Sequence, residues 1–205
     1  GSHSFSGNSY AAHAVKKESC LTVSRSPRLL SQFDARLDGE FSEEKLVWNV
    51  NEDSSHVIQA IQKSKVKIVV NFAAQSMVGQ SWNSPGDWYQ ANVVSLAMFA
   101  NRLRNETEIE KFIHFTTPEV YGSTSGWLKE GFNFAPSTPY AVSRTAGDWH
   151  LKCLFDNYGF PAIFTRAANV YGPGQQLYRI VPRTILSALT GQKLPLHGGG
   201  KSIRS

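Results

Sequence analysis

Two stretches of the chain carry side chains able to move protons. Phe115-Thr-Thr-Pro-Glu-Val-Tyr-Gly122 leaves an apolar segment with Thr117 and Glu119 at its end. A glutamate beside a ligand site serves as a base once burial raises its pKa. Pro139-Tyr-Ala-Val-Ser-Arg144 sets Tyr140 and Arg144 four residues apart, which is one face of a helix. A cation held near a phenol lowers its pKa from about 10, making the tyrosine a proton acceptor nearer neutrality. Removal of hydride from an alcohol needs such a base.

These residues need a scaffold, and the hydropathy pattern supplies one. Short apolar runs at Leu21–Val23, Leu46–Trp48, Val66–Ala73, Phe112–Thr116 and Ala162–Thr165 read as strands. The run VKIVVNFA is nearly continuous, as in a strand buried on both faces. Between them, Tyr10–Lys17, Ser54–Lys63, Trp88–Asn105 and Tyr140–Tyr158 read as helices. Pro85 and Pro139 stand at helix starts, where a missing N–H costs little, and Gly159 follows the last helix as a C-cap. The alternation predicts an α/β fold, a Rossmann-like doubly wound parallel sheet with helices on both faces. Ligands then bind at the carboxyl ends of the strands, after Val23, Val50, Phe72, Thr116 and Arg166. Prolines and glycines multiply after Gly172. The expected division is a nucleotide-binding domain over 1–172 and the beginning of a substrate region over 173–205. Both ends look cut.

Composition narrows the classes. The chain has 205 residues, 41% hydrophobic and 18% charged, ordinary for a globular domain. No apolar run reaches the roughly 20 residues of a membrane span, and no signal-peptide core opens the chain. The net charge is +5, but Lys and Arg are dispersed, which argues against nucleic acid. The six histidines lack metal-ligand spacing, so no metal is expected. Cys20 and Cys153 form no CxxC pair and are expected as buried thiols, suited to a reducing cytoplasm.

Three further features concern a nucleotide. Gly1-Ser-His-Ser-Phe-Ser-Gly7 holds glycines that would let backbone approach a diphosphate at a helix N-terminus. The strand that ends in Ser24-Arg25-Ser26, read as the second of the fold with the first one missing, lacks the acid that holds a ribose 2′-hydroxyl. With Arg25 and Arg28 nearby, that absence favours NADP over NAD.

The set Ala73-Ala-Gln-Ser76, Thr116-Thr-Pro-Glu-Val-Tyr-Gly122, Tyr140-x-x-x-Arg144 and Arg166-Ala-Ala-Asn-Val-Tyr-Gly-Pro-Gly-Gln175 resembles the extended short-chain dehydrogenase/reductase family. Within it the likeness is to nucleotide-sugar 4,6-dehydratases. The resemblance implies a tightly bound NAD or NADP. Tyr140 would take the proton of the sugar 4-hydroxyl, Thr117 would bond that oxygen, and Glu119 would remove the proton on carbon 5. It places Gly1, Ser4, Phe5 and Gly7 on the diphosphate loop, and Ser24 and Arg25 at the ribose. Asn49 and Val50 fall at the adenine, where Asn49 replaces the usual Asp. Phe72, Ala73 and Ala74 would line the cofactor, with Tyr140 and Arg144 beside it, and Asn92 would support the site. Gln75, Ser76, Asn169, Arg179 and Arg204 would hold the sugar nucleotide. The helices at 88–105 and 140–158 would pair two subunits into a homodimer.

Two positions depart from the pattern. The tyrosine's usual Lys partner is Arg144, whose flat head cannot copy an ammonium's contacts. The usual Asp that protonates the departing water is Pro118, which has no proton to give. The expected function is therefore a 4,6-dehydratase. A nucleotide-sugar epimerase or reductase, or a catalytically weak sugar-nucleotide-binding protein, stands as the alternative.

Overall fold

The computed structural model describes residues 5–14, 20–24, 43–168, 170–173 and 175–196. Its elements run α1 (Phe5–Ala14), β1 (Cys20–Ser24), β2 (Glu43–Val47), α2 (Ser55–Lys63), β3 (Ile68–Asn71), α3 (Val78–Ser81), α4 (Pro85–Tyr89), a π-helical stretch (Gln90–Ser95), α5 (Leu96–Glu106), β4 (Lys111–Phe115), a 3-10 turn (Pro118–Tyr121), α6 (Pro139–Tyr158), β5 (Ala162–Thr165) and α7 (Ile180–Thr190). All strand pairs are parallel, with β1 on β2 and β4 between β3 and β5. The chain forms two compact units, 1–166 and 167–205. The proline- and glycine-rich stretch after Gly172 falls in the second.

Sequence explains the layering. β4 reads Lys-Phe-Ile-His-Phe and alternates in burial, with Phe112 and His114 turned inward together. Phe112 joins Val57, Ile58 and Ile61 of α2, Leu96, Ala100 and Leu103 of α5, and Leu151 and Leu154 of α6 in one core. Their spacings of three, four and seven mark one helical face each. Full burial of each large side chain contributes roughly 1.5–3 kcal/mol. The opposite face is covered too. Phe115, one residue out of phase with His114, stacks on Phe72 at 4.1 Å, and Phe72 meets Tyr10 of α1 at 5.8 Å.

Several boundaries moved. The first helix is described over Phe5–Ala14 and begins before the expected Tyr10, while the expected end at Lys17 lies outside the described residues. The strand expected over Val66–Ala73 pairs only over Ile68–Asn71. Its flanks are apolar because they pack, not because they pair. Pro85 and Pro139 do stand in the first turn of their helices, and Gly159 caps α6 with φ 66°. Cys153 is a correction: it is exposed, not buried. Leu151 and Leu154 take the inward positions of that turn and leave Cys153 outside. Helix α7 was not foreseen.

Helix α6 crosses the π-helical stretch closely, and Gly147 permits it. A Cβ there would lie 2.7 Å from the Asn92 carbonyl oxygen and 2.9 Å from Leu96. Gly147→Val is expected to cost at least about 1–3 kcal/mol through overpacking. A urea midpoint equal to wild type would refute this close approach.

Candidate active site

The start of α6 is pinned by the protein's own side chains. The Thr138 hydroxyl accepts from the Ala141 N–H, and the Tyr140 N–H donates to Ser81 Oγ at 3.1 Å. Ser81 Oγ in turn donates to the Val78 carbonyl at 2.6 Å. Tyr140, the first residue after Pro139, is buried at 8% exposure.

The 3-10 turn after β4 carries Thr117 and Glu119, and α6 packs against it. Thr117 Oγ1 accepts the Glu119 N–H at 3.2 Å, so one side chain fixes the turn that presents both. The turn then closes on Gly122 with φ 71°, where a Cβ would meet the Ala135 carbonyl at 2.0 Å. The returning loop is tied by Ala135 N–H to the Val120 carbonyl and by the Tyr121 hydroxyl to Gly131.

Asn92 joins these pieces from the π-helical stretch, a geometry that often marks functional positions. Its Oδ1 accepts the Gln75 N–H at 2.9 Å. Its Nδ2 donates to the Gln75 carbonyl at 3.0 Å and to Ser143 Oγ at 2.9 Å. The loop after β3 is thereby clamped to α6. Ser76, beyond the clamp, is exposed.

Beneath Tyr140 lies a buried polar cluster. Arg144 is 2% exposed, and its Nη2 donates to the Phe115 carbonyl. His114 Nε2 lies 3.3 Å from that Nη2 and 3.8 Å from Asp148 Oδ1. Asp148 Oδ2 accepts from Arg166 at 2.9 Å. The Arg166 guanidinium is ringed by Tyr121, Phe132, Phe134 and Phe164 at 5.1–5.6 Å. Asn71 Oδ1 accepts the Ala73 N–H, so its Nδ2 faces His114 Nδ1 at 3.0 Å. A neutral His114 then carries its proton on Nε2.

Burial holds His114 neutral, with its pKa well below the usual value, and the Arg144 and Arg166 charges add to this. Burial pushes the Asp148 carboxyl up, while Thr116, Arg144 and Arg166 pull it back. A histidine depressed on folding contributes stability above about pH 6.5 that is lost as pH falls below it. The wild type is expected to lose up to about 1.4 kcal/mol per pH unit from this group. His114→Gln should have a flatter profile, read from urea midpoints between pH 7 and 5. Equal slopes would refute it.

A shallow, open depression lies beside the ends of β2 and β3, lined by Trp48, Val50, Asn71, Ala73, Ala91, Ser95, Leu96 and Phe99. Val50 and Ala73, both expected at the cofactor, line it. Asn49, between Trp48 and Val50 in the chain, is half-buried, with Oδ1 accepting the Asn51 N–H. Phe72 and Ala74 are half-buried on either side of Ala73.

Other expected residues are placed elsewhere. Phe5 and Gly7 lie in α1 and Ser24 ends β1. Gly1, Ser4, Arg25, Asn169 and Arg204 lie outside the described residues. Arg179 is exposed in the second unit, before α7, with its guanidinium 5.3 Å from the Tyr178 ring. His114 and Asp148 were not foreseen from sequence. Both left signals: a histidine in an inward position of an apolar strand, and a carboxylate continuing the four-residue series Tyr140, Arg144, Asp148.

A parallel α/β sheet with this strand-end site is of the Rossmann type. The NAD dependent epimerase/dehydratase family matches residues 1–205, and the chain belongs to that family. A dTDP-glucose 4,6-dehydratase of Xanthomonas campestris is 33% identical over 162 residues, 74% of this chain and 46% of that protein. A dTDP-D-glucose 4,6-dehydratase of Homo sapiens is 32% identical over 154 residues, 75% of this chain and 44% of that protein. The chain thus spans about half the length of the curated relatives it matches. The structure of dTDP-glucose 4,6-dehydratase from Bacillus anthracis, in complex with NAD, aligns over 100% of this chain and 64% of that one, at 25% identity and a TM-score of 0.83. The UDP-glucuronic acid 4-epimerase of Bacillus cereus shares the fold, at 23% identity, a TM-score of 0.82, and coverage of 99% and 66%. The lean toward NADP finds no support among these relatives, and Arg25 and Arg28, on which it rests, lie outside the described residues.

Proposed function

We propose that the chain is the cofactor-binding core of an NAD-dependent 4,6-dehydratase acting on a nucleotide-diphosphate sugar. The observation that carries the reading is the pairing of a helix start bearing Tyr140 with a packed turn bearing Thr117 and Glu119. The depression lined by Trp48, Val50 and Ala73 would hold a ring of the dinucleotide. When bound, NAD would accept a hydride from carbon 4 of the sugar and return it at carbon 6. Tyr140 takes the 4-hydroxyl proton, and Thr117 donates a hydrogen bond to the oxygen left behind. The resulting ketone acidifies the carbon 5 proton, which Glu119 removes. Pro118 cannot protonate the leaving hydroxyl, so Glu119 passes that proton on and water departs. The proton held by Tyr140 balances the one carbon 5 regains when hydride returns. Incubation of the full protein with dTDP-glucose and UDP-glucose, read by mass spectrometry, is expected to show loss of one water. Unchanged masses across a broad panel of nucleotide sugars would sink the reading.

Pro118 is the specific observation that favours a second reading, an epimerase. That reaction needs Tyr140 but no leaving-group acid, and would yield an isomer of equal mass.

The same reading pairs two copies through the outward faces of the paired helices. Among the described residues, Met98 on α5 and Trp149 on α6 are 66% and 44% exposed. Met98→Lys with Trp149→Glu is expected to give a monomer by sedimentation. A monomeric wild type would refute the pairing. No described helix is long and apolar enough to cross a membrane.

A further inference from the structure

Arg144 stands where the resemblance expects a cation that faces the cofactor, yet the hydrogen bond it makes is to the protein's own backbone. The residue is 2% exposed. Its Nη2 donates to the carbonyl of Phe115, the last residue of β4. His114 Nε2 lies 3.3 Å from the same nitrogen. Four residues further along α6, Asp148 faces His114 and binds Arg166 just past β5.

From this we infer that Arg144 is a positioning residue that acts through the Phe115 carbonyl, and that it does not touch the cofactor. Tyr140 and Arg144 ride on one helix. Phe115 and Thr117 ride on one strand end, where the Thr116 N–H is also held by the Thr165 carbonyl at 3.0 Å. The guanidinium therefore cross-links the helix carrying the proposed base to the segment carrying Thr117 and Glu119. It sets the distance between the two halves of the site. A planar head with several fixed donors suits a buried brace better than a flexible ammonium does. The exchange of lysine for arginine thus moves the cation from ligand to scaffold. The inference rests on the dehydratase or epimerase reading above.

The test uses the full protein with Arg144→Met, which keeps most of the length and removes the donors, and Arg144→Lys, which keeps the charge. NAD binding is followed by tryptophan fluorescence, and turnover with dTDP-glucose or UDP-glucose as substrate. The expected result is an NAD affinity changed by less than about tenfold, with kcat down more than about tenfold and the sugar KM nearly unchanged. An NAD affinity weakened beyond that limit, or an unaltered kcat, overturns the inference. Should Arg144→Met fail to fold, Arg144→Lys decides by the same two readings. A wild type that neither binds NAD nor turns over these sugars overturns the enzyme reading itself, and this inference with it. That failure is told apart because it appears before any substitution.

Discussion

Tyr140→Phe is expected to lower turnover by about 100- to 10,000-fold, the usual worth of a positioned acid–base group, while NAD binding stays within about threefold of wild type. The phenyl ring keeps the packing of a residue that is already 8% exposed. The hydroxyl plays no part in starting α6, because Thr138 and Ser81 hold the backbone there. The substitution therefore removes the proposed proton acceptor and little else. Thermal unfolding should match wild type. An active Tyr140→Phe variant would remove the tyrosine from the mechanism, whatever the fold resembles. A parallel loss in NAD affinity would instead make Tyr140 a binding residue.

Asp148→Ala is expected to cost about 3–5 kcal/mol, because it leaves buried cations without their carboxylate. Asp148 is fully buried and answers Arg166 directly and Arg144 through space. Against a total stability of about 5–15 kcal/mol, that loss is a large share. Asp148→Asn keeps the shape and one acceptor and should lose less. Urea unfolding of the two variants checks the order. If Asp148→Ala unfolds at the wild-type midpoint, the cluster beneath Tyr140 does not anchor α6. Because Arg144 and Arg166 fasten that helix to β4 and to the end of β5, a loosened cluster should also raise hydrogen exchange over residues 115–121.

Much of this was legible from local pattern. Strand–helix alternation, the prolines opening α4 and α6, and the Gly159 cap follow from short-range periodicity and backbone sterics, which any stretch of chain reveals by itself. The residues proposed for the chemistry, Thr117, Glu119 and Tyr140, could be picked out by type and spacing alone. Strand ends were read less well. VKIVVNFA looks like one long strand because burial, not pairing, makes a run apolar. Cys153 was misplaced because its exposure depends on which way α6 turns, a matter of packing.

Tyr140 and Arg144 share a helix face by virtue of their four-residue spacing alone, and the sequence determines that much. Where the guanidinium then points could come only from the tertiary structure. His114 lies thirty residues away from Arg144 in the chain and Asp148 four, and β4 and α6 must meet before the three share one buried space. Once there, desolvation disfavours the charged form of the histidine, and the arginine donates to the Phe115 carbonyl. That is a property of a low-dielectric interior, and no local stretch of residues encodes it.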